Sequence, residues 1–155
     1  MNGKTIRVCA ILTFLFNLSC SRLSTLTSDV LTQSEDKWHA SRPSSYRLTI
    51  EMKGDRVEKG RFDVSVQDSH VTSLKRNGRD VQPAEGQDYS MDGLFRMLHQ
   101  EMDQAQRPML LGAPEGYGAY LMARFDEQSG RLMEYRRTVG GTTNTIDIRV
   151  LEFQP

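Results

Sequence analysis

Cysteine is almost missing from this chain: there are two in 155 residues, Cys9 and Cys20, both ahead of the single tryptophan. No Cys-x-x-Cys, His-Glu-x-x-His or EF-hand pattern occurs, and His39, His70 and His99 each stand without a metal-spaced neighbour. No metal and no cofactor is therefore expected. Basic and acidic residues balance at 20 each, so the electrostatic case for nucleic acid or an anionic membrane surface is absent. No Gly-x-Ser-x-Gly elbow is present, and the glycine-rich stretch GAPEGYG (112–118) lacks the Lys-Ser/Thr of a phosphate cradle. With no nucleophile, base or ligand set to point to, the chain reads as a non-enzyme. Nor does any apolar run reach the roughly 20 residues that a membrane helix needs.

What is present begins at the N-terminus. Lys4 and Arg7 precede VCAILTFLF (Val8–Phe16), apolar apart from Thr13 and ended by Asn17. A positive start followed by an apolar run of about 7–15 residues is the pattern of a secretory signal, expected here over 1–19. A buried helix of the folded domain is the structural alternative. Residues 17–20, Asn-Leu-Ser-Cys, resemble a bacterial lipoprotein box, with a polar Asn where Leu is usual. Cutting before Cys20 would leave a cysteine that is acylated on its sulfur and often, palmitate-like, on its new amine; cutting after Ser21 by ordinary signal peptidase is the rival. Cys9 would leave with the signal, and a lone exported thiol calls for an explanation that acylation supplies. Several acyl chains hold a protein at a membrane where one is marginal. With Lys4 and Arg7 gone, 18 of the 20 basic residues face all 20 acids, still close to neutral. The Ser/Thr-rich residues 20–37 then read as a flexible tether.

A single domain is expected over 38–155, opening at Trp38. Period-two alternation marks strands in YRLTIEMK (Tyr46, Leu48, Ile50, Met52), GRFDVSVQD (Phe62, Val64, Val66) and, more weakly, HVTSLKR (Val71, Leu74). Asp68-Ser69 and Asn77-Gly78 are turn signals. In SMDGLFRMLHQEMDQA, Met91, Leu94, Phe95, Leu98, Met102 and Ala105 recur at three and four, with Ser90 as cap and Asp92 in the first turn: an amphipathic helix. The spacing assigns Arg96, Gln100, Glu101, Asp103 and Gln104 to its wet face. Three further strands follow: AYLMARFDE, RLMEYRRTV (Met133, Tyr135 and Val139 inward) and TIDIRVLEF. Arg124, Asp126, Glu134, Arg136, Asp147 and Arg149 fall on their polar side as a charged ladder. The order β-β-β-α-β-β-β predicts an α+β fold, one antiparallel sheet of about six strands packed on one helix.

One stretch departs from turn chemistry. Met109, Leu110 and Leu111 cluster in a loop that continues to Tyr117. They either close an open edge of the core or form an apolar patch in which Leu110, Leu111 and Tyr117 dock a partner such as another envelope protein.

Taken together, Trp38 with Pro43 and Tyr46, Met91-Asp92-Gly93-Leu94-Phe95, and Phe125-Asp126 with Gly130 two residues before Leu132 resemble a bacterial family of small exported or lipid-anchored proteins carrying a domain of unknown function. The likeness covers about 38–153. It lacks the Cys-x-Cys pair that many members carry and has Arg131 where they often have Pro. The resemblance implies fold and export but no activity. The expectation is thus an envelope protein held to a membrane through acylated Cys20, or periplasmic if not acylated. It would be a binding or assembly module first, a carrier or sensor of a small apolar ligand second, and a hydrolase last.

Overall fold

Alternating side chains build most of this molecule. In the computed structural model, which describes residues 22–55, 58–82 and 87–155, the strands are β1 (Ser24–Thr25), β2 (Tyr46–Gly54), β3 (Gly60–Gln67), β4 (His70–Arg76), β5 (Arg79–Asp80), β6 (Ala119–Phe125), β7 (Leu132–Val139) and β8 (Thr145–Gln154). They form one open antiparallel sheet in the order β1-β6-β7-β8-β2-β3-β4-β5. Two helices, α1 (Ser28–Ser41) and α2 (Met91–Ala105), cover one face, and a 3-10 turn (Pro108–Leu111) follows α2. The expected signal 1–19 and Cys20 lie outside the described residues. Among the described residues no helix is long and apolar enough to cross a membrane.

The α+β class holds, with two corrections. The sheet has eight strands rather than six, because two-residue strands cap each edge: β1 on β6 and β5 on β4. Such short edge strands blunt the unpaired backbone that would otherwise invite aggregation. The second correction concerns the tether. From residue 22 its described part is structured: β1 pairs with β6, and Ser28–Ser41 is a helix capped by Thr27, whose hydroxyl accepts from the Val30 N–H at 3.3 Å. Leu31, Ser34 and Trp38 form its buried stripe at spacings of three and four, so Trp38 lies inside a helix instead of opening the domain.

Turn residues behave as their chemistry requires. Asp68 and Ser69, and Asn77 and Gly78, all have positive φ, the mirror-image turn geometry that suits the twist of a hairpin. The charged ladder also forms on the solvent face, except for Asp126, which lies beyond β6 in the turn and accepts from the Ser129 N–H and hydroxyl at 2.8 Å. Arg124 faces Glu134, Arg136 faces Asp147 at 2.6 Å, and Arg149 reaches both Glu134 and Asp147. One strand departs from its expected phase. A register shift between Arg124 and Phe125 puts Leu132, not Met133, in the core, while Arg137 points inward in the same alternation as Tyr135 and Val139.

The two helices meet the sheet at one junction. Ser90 caps α2 by accepting from the Gly93 N–H at 3.0 Å, while its own hydroxyl donates to Asp88 at 2.7 Å. Asp92, in the first turn of α2, accepts from the Trp38 indole N–H at 2.9 Å and from Arg42 at 2.7 Å. The Met91 N–H donates to the Tyr46 hydroxyl at 3.0 Å, and the Trp38 ring meets Tyr46 and Phe153 edge-on. A second tie between the helices is the 2.7 Å contact of His99 Nε2 with Glu35.

Gly130, in the β6–β7 turn, has φ +72° and lies against α1: a Cβ there would stand 2.1 Å from the Ser34 carbonyl oxygen and 2.9 Å from the Trp38 nitrogen. Gly78 shares the left-handed conformation (φ +78°) but has nothing within 4 Å of such a Cβ. Gly130→Ala is therefore expected to lose roughly 2–5 kcal/mol, the left-handed penalty plus crowding, and Gly78→Ala roughly 1–2 kcal/mol. Urea unfolding measures both, and equal losses would show that the close approach to α1 carries no weight.

Candidate functional site

A cavity of about 440 Å³ lies between α2 and the sheet, at the end of the sheet that carries the 106–118 loop. That size falls within the range of small-molecule sites. Met52, Leu94, Met97 and Ile146 supply apolar wall, and Leu110 and Leu111 come from the 3-10 turn. Gln87, Gln100 and Gln104 add side-chain amides, and Glu58 and Tyr89 stand beside them.

Four polar side chains from three elements make the floor and what lies beneath it. Arg137 on β7 is only 3% exposed and Glu101 on α2 only 7%. Arg137 Nη1 donates to Glu101 Oε2 at 2.6 Å, and the Tyr135 hydroxyl donates to the same oxygen at 3.1 Å. Arg137 Nη2 donates to Asn144 Oδ1 at 2.8 Å, and Asn144 Nδ2 donates to the Leu111 carbonyl at 2.8 Å. The Arg137 Nε–H is buried and has no hydrogen-bond partner among the described residues. Removing two charges from water costs several kcal/mol per ion, so a pair like this is a weak source of stability.

Tyr89 adds a second departure from an ordinary core. It is an aromatic residue with φ +54°, a conformation that side chains other than glycine seldom adopt, and one that clusters at binding sites. Its ring stacks on Phe62 with centroids 4.4 Å apart, and its hydroxyl lies 3.4 Å from Glu58 and from Gln87. Burial, reinforced by the Glu58 carboxylate, pushes its phenol up to about 12. Tyr46 also rises to about 12 through burial, with Asp92 and Asp88 adding to the effect and the Met91 N–H opposing it. Tyr135 is driven upward too, by burial first and the Glu101 carboxylate second.

The residues singled out in the loop part company. Leu110 is 65% exposed and lines the cavity, with the still more exposed Met109 beside it. Tyr117 is also exposed, but it lies over the β7–β8 turn near Gly140 and Gly141 and does not line the cavity. Leu111 is 6% exposed and packs with Ala113, Ala119 and Val139 as a small satellite core, so it lines the cavity from within and is not part of an exposed patch with Leu110 and Tyr117. In a 3-10 turn successive side chains point about a third of a turn apart, so neighbours in sequence divide between core and solvent. Among the described residues no cluster of His, Cys, Asp and Glu is arranged to hold a metal.

Sequence reading missed the floor. Glu101 was assigned to the wet face of α2, yet it follows Leu94 by seven residues and shares its stripe. Arg137 alternates in phase with Tyr135 and Val139, so a basic residue at an inward strand position was the available signal. Asn144 offered none.

Fold and cavity together define the class: an α+β protein with an open antiparallel sheet and a polar-floored cavity beneath its second helix. The chain belongs to a family of unknown function (DUF6174), whose model matches residues 30–109. No curated protein and no solved structure matches it. The match begins in α1, earlier than the resemblance read from sequence, and ends in the 3-10 turn. It takes in Glu101 but not Tyr135, Arg137 or Asn144.

Two measurements test the site. Glu101→Leu and Arg137→Met should each cost about 3–5 kcal/mol, because each strands its partner's buried charge. The double variant should fall short of their sum by about 0.5–3 kcal/mol, and strict additivity in a denaturant double-mutant cycle would dismiss the pair as a coupled unit. Tyr46 and Tyr89 set an alkaline limit. Their folded values lie above the ordinary 10.0, so the fold favours the neutral phenol. That stabilisation is complete below about pH 10 and is lost as pH rises through about 12. Unfolding free energy followed against pH, with tyrosinate absorbance, should decline across that window; Phe at both positions should flatten the decline.

Proposed function

We propose that this chain is a membrane-tethered, non-catalytic binding module of a bacterial cell envelope. In this reading the signal 1–19 is removed, Cys20 carries the acyl chains, and the cavity with its Met109–Leu110 rim is the working surface.

One observation supports it above the others. The register of β1 on β6, Ser24 opposite Ala123 and Thr25 opposite Met122, means that the chain before Ser24 runs toward Phe125. The cavity lies at the opposite end of the sheet, beside Ile146, Asn144 and the 3-10 turn. Cys20 lies four residue steps before Ser24, a reach of about 14 Å fully extended. That is about the length of β6 from Ala123 back to Ala119. An anchor at Cys20 would hold the turn-and-terminus end toward the bilayer and leave the cavity facing away, open to a soluble ligand or partner. Carriage of a small ligand is the second reading, and the cavity itself favours it.

Intact mass of the protein extracted from membranes should show residues 1–19 missing and acyl chains added. Full-length chain in the soluble fraction would overturn the anchoring. Leu110→Asp, at an exposed position, should leave unfolding unchanged while abolishing crosslinks to an envelope partner in intact cells. Unaltered crosslinks would remove the rim from the proposal.

A further inference from the structure

The walls of the cavity restrict what it can hold. Its formal charges already have protein partners: Glu101 is paired with Arg137 at 2.6 Å, and Glu58 has Arg76 at 3.7 Å. An ionic ligand would find no uncompensated opposite charge there and would give up its own hydration. A fatty chain would leave the buried Arg137 Nε–H and the Arg137–Asn144 floor against hydrocarbon. A peptide seeking to add a strand would look to a sheet edge, beyond β1 or β5, and not to the space between α2 and the sheet.

What remains is hydrogen bonding without charge. Each glutamine amide both donates and accepts, as a hydroxyl does. Leu94 and Met97 on α2 itself and Met52 and Ile146 on the sheet offer apolar surface beside them. The buried Arg137 Nε–H, without a partner among the described residues, marks a floor short of one acceptor oxygen.

We infer that the cavity binds an uncharged, hydroxyl-rich ligand, a saccharide of one or two rings, with its C–H surface on the methionine and leucine wall and its hydroxyls on the glutamines. This rests on the binding-module reading and names the ligand class for that same site. The saccharide lies under α2, with Gln100 and Gln104 at its rim, one helical turn apart on the same helix face. Both glutamines are exposed, so their loss does not disturb the core.

Isothermal titration of the protein as recovered from cells should use N-acetylglucosamine, its β-1,4-linked dimer, maltose, decanoate and acetyl-lysine amide as probes. The expected result is saturable binding of at least one sugar, weakened fivefold or more in Gln100→Ala/Gln104→Ala, with unchanged urea unfolding. Binding of decanoate or the lysine amide without any sugar would overturn the saccharide assignment and leave the binding module standing. Sugar binding unaffected by the double variant would also overturn it, by locating the site elsewhere. If no probe binds, and native mass spectrometry of gently extracted protein shows only the bare chain, the assignment and the small-ligand use of the cavity both fall.

Discussion

The carboxylate of Asp92 is where the two helices and the sheet are joined. It accepts from the Trp38 indole and from Arg42 while sitting in the first turn of α2, where the helix dipole favours negative charge. One residue earlier, the Met91 N–H uses the Tyr46 hydroxyl, and the Met91 sulfur lies 3.3 Å from the Leu132 nitrogen. The start of α2 is thereby held by α1, β2 and β7 at once. Everything α2 covers depends on that placement, including the cavity and the meeting of Glu101 with Arg137.

Most residues that carry the family resemblance fall at this junction, and of them only Gly93 and Leu94 also line the cavity. Trp38, Tyr46, Asp92 and Gly130 touch one another or share a neighbour, and Phe95 stacks on Phe125 at 5.9 Å. Their chemistry is that of a scaffold: an aromatic cluster, a cap and a glycine admitting close approach. The cavity draws instead on Tyr89, Glu101, Arg137 and Asn144, two of them a buried ion pair that adds little to stability. Scaffold and cavity occupy different ends of the sheet, so the cavity can vary in chemistry while the junction holds the fold.

Most strands were legible because a half-buried strand must alternate, and the turns between them use residues that tolerate positive φ. Helix α2 was legible for the same reason at a different period. Helix α1 was not. Its stripe consists of Leu31, Ser34 and Trp38, with a serine at its centre, and its remaining residues are those of a polar linker. Contact with Gly130, Asp92, Tyr46 and Phe153 makes the stripe a packing surface. The floor of the cavity was hidden by residue type: Glu101 read as solvent-facing because an isolated charge cannot be buried, and Arg137, though in phase with Tyr135 and Val139, was assigned to neither face. Each is buried here because the other is there. Leu111 was grouped with Leu110 because adjacency in sequence says nothing about which residue of a short 3-10 turn points inward.

Local patterning by itself determined that the chain alternates into antiparallel hairpins, that one helix interrupts them, and where the chain must turn, since backbone sterics and side-chain period act over a few residues. Tertiary structure alone decided that β8 lies beside β2, that a serine-rich stretch becomes a helix, and that a glutamate and an arginine 36 positions apart share a buried site. These are contacts between distant segments, and the burial that makes them favourable exists only once the sheet has closed beneath both helices.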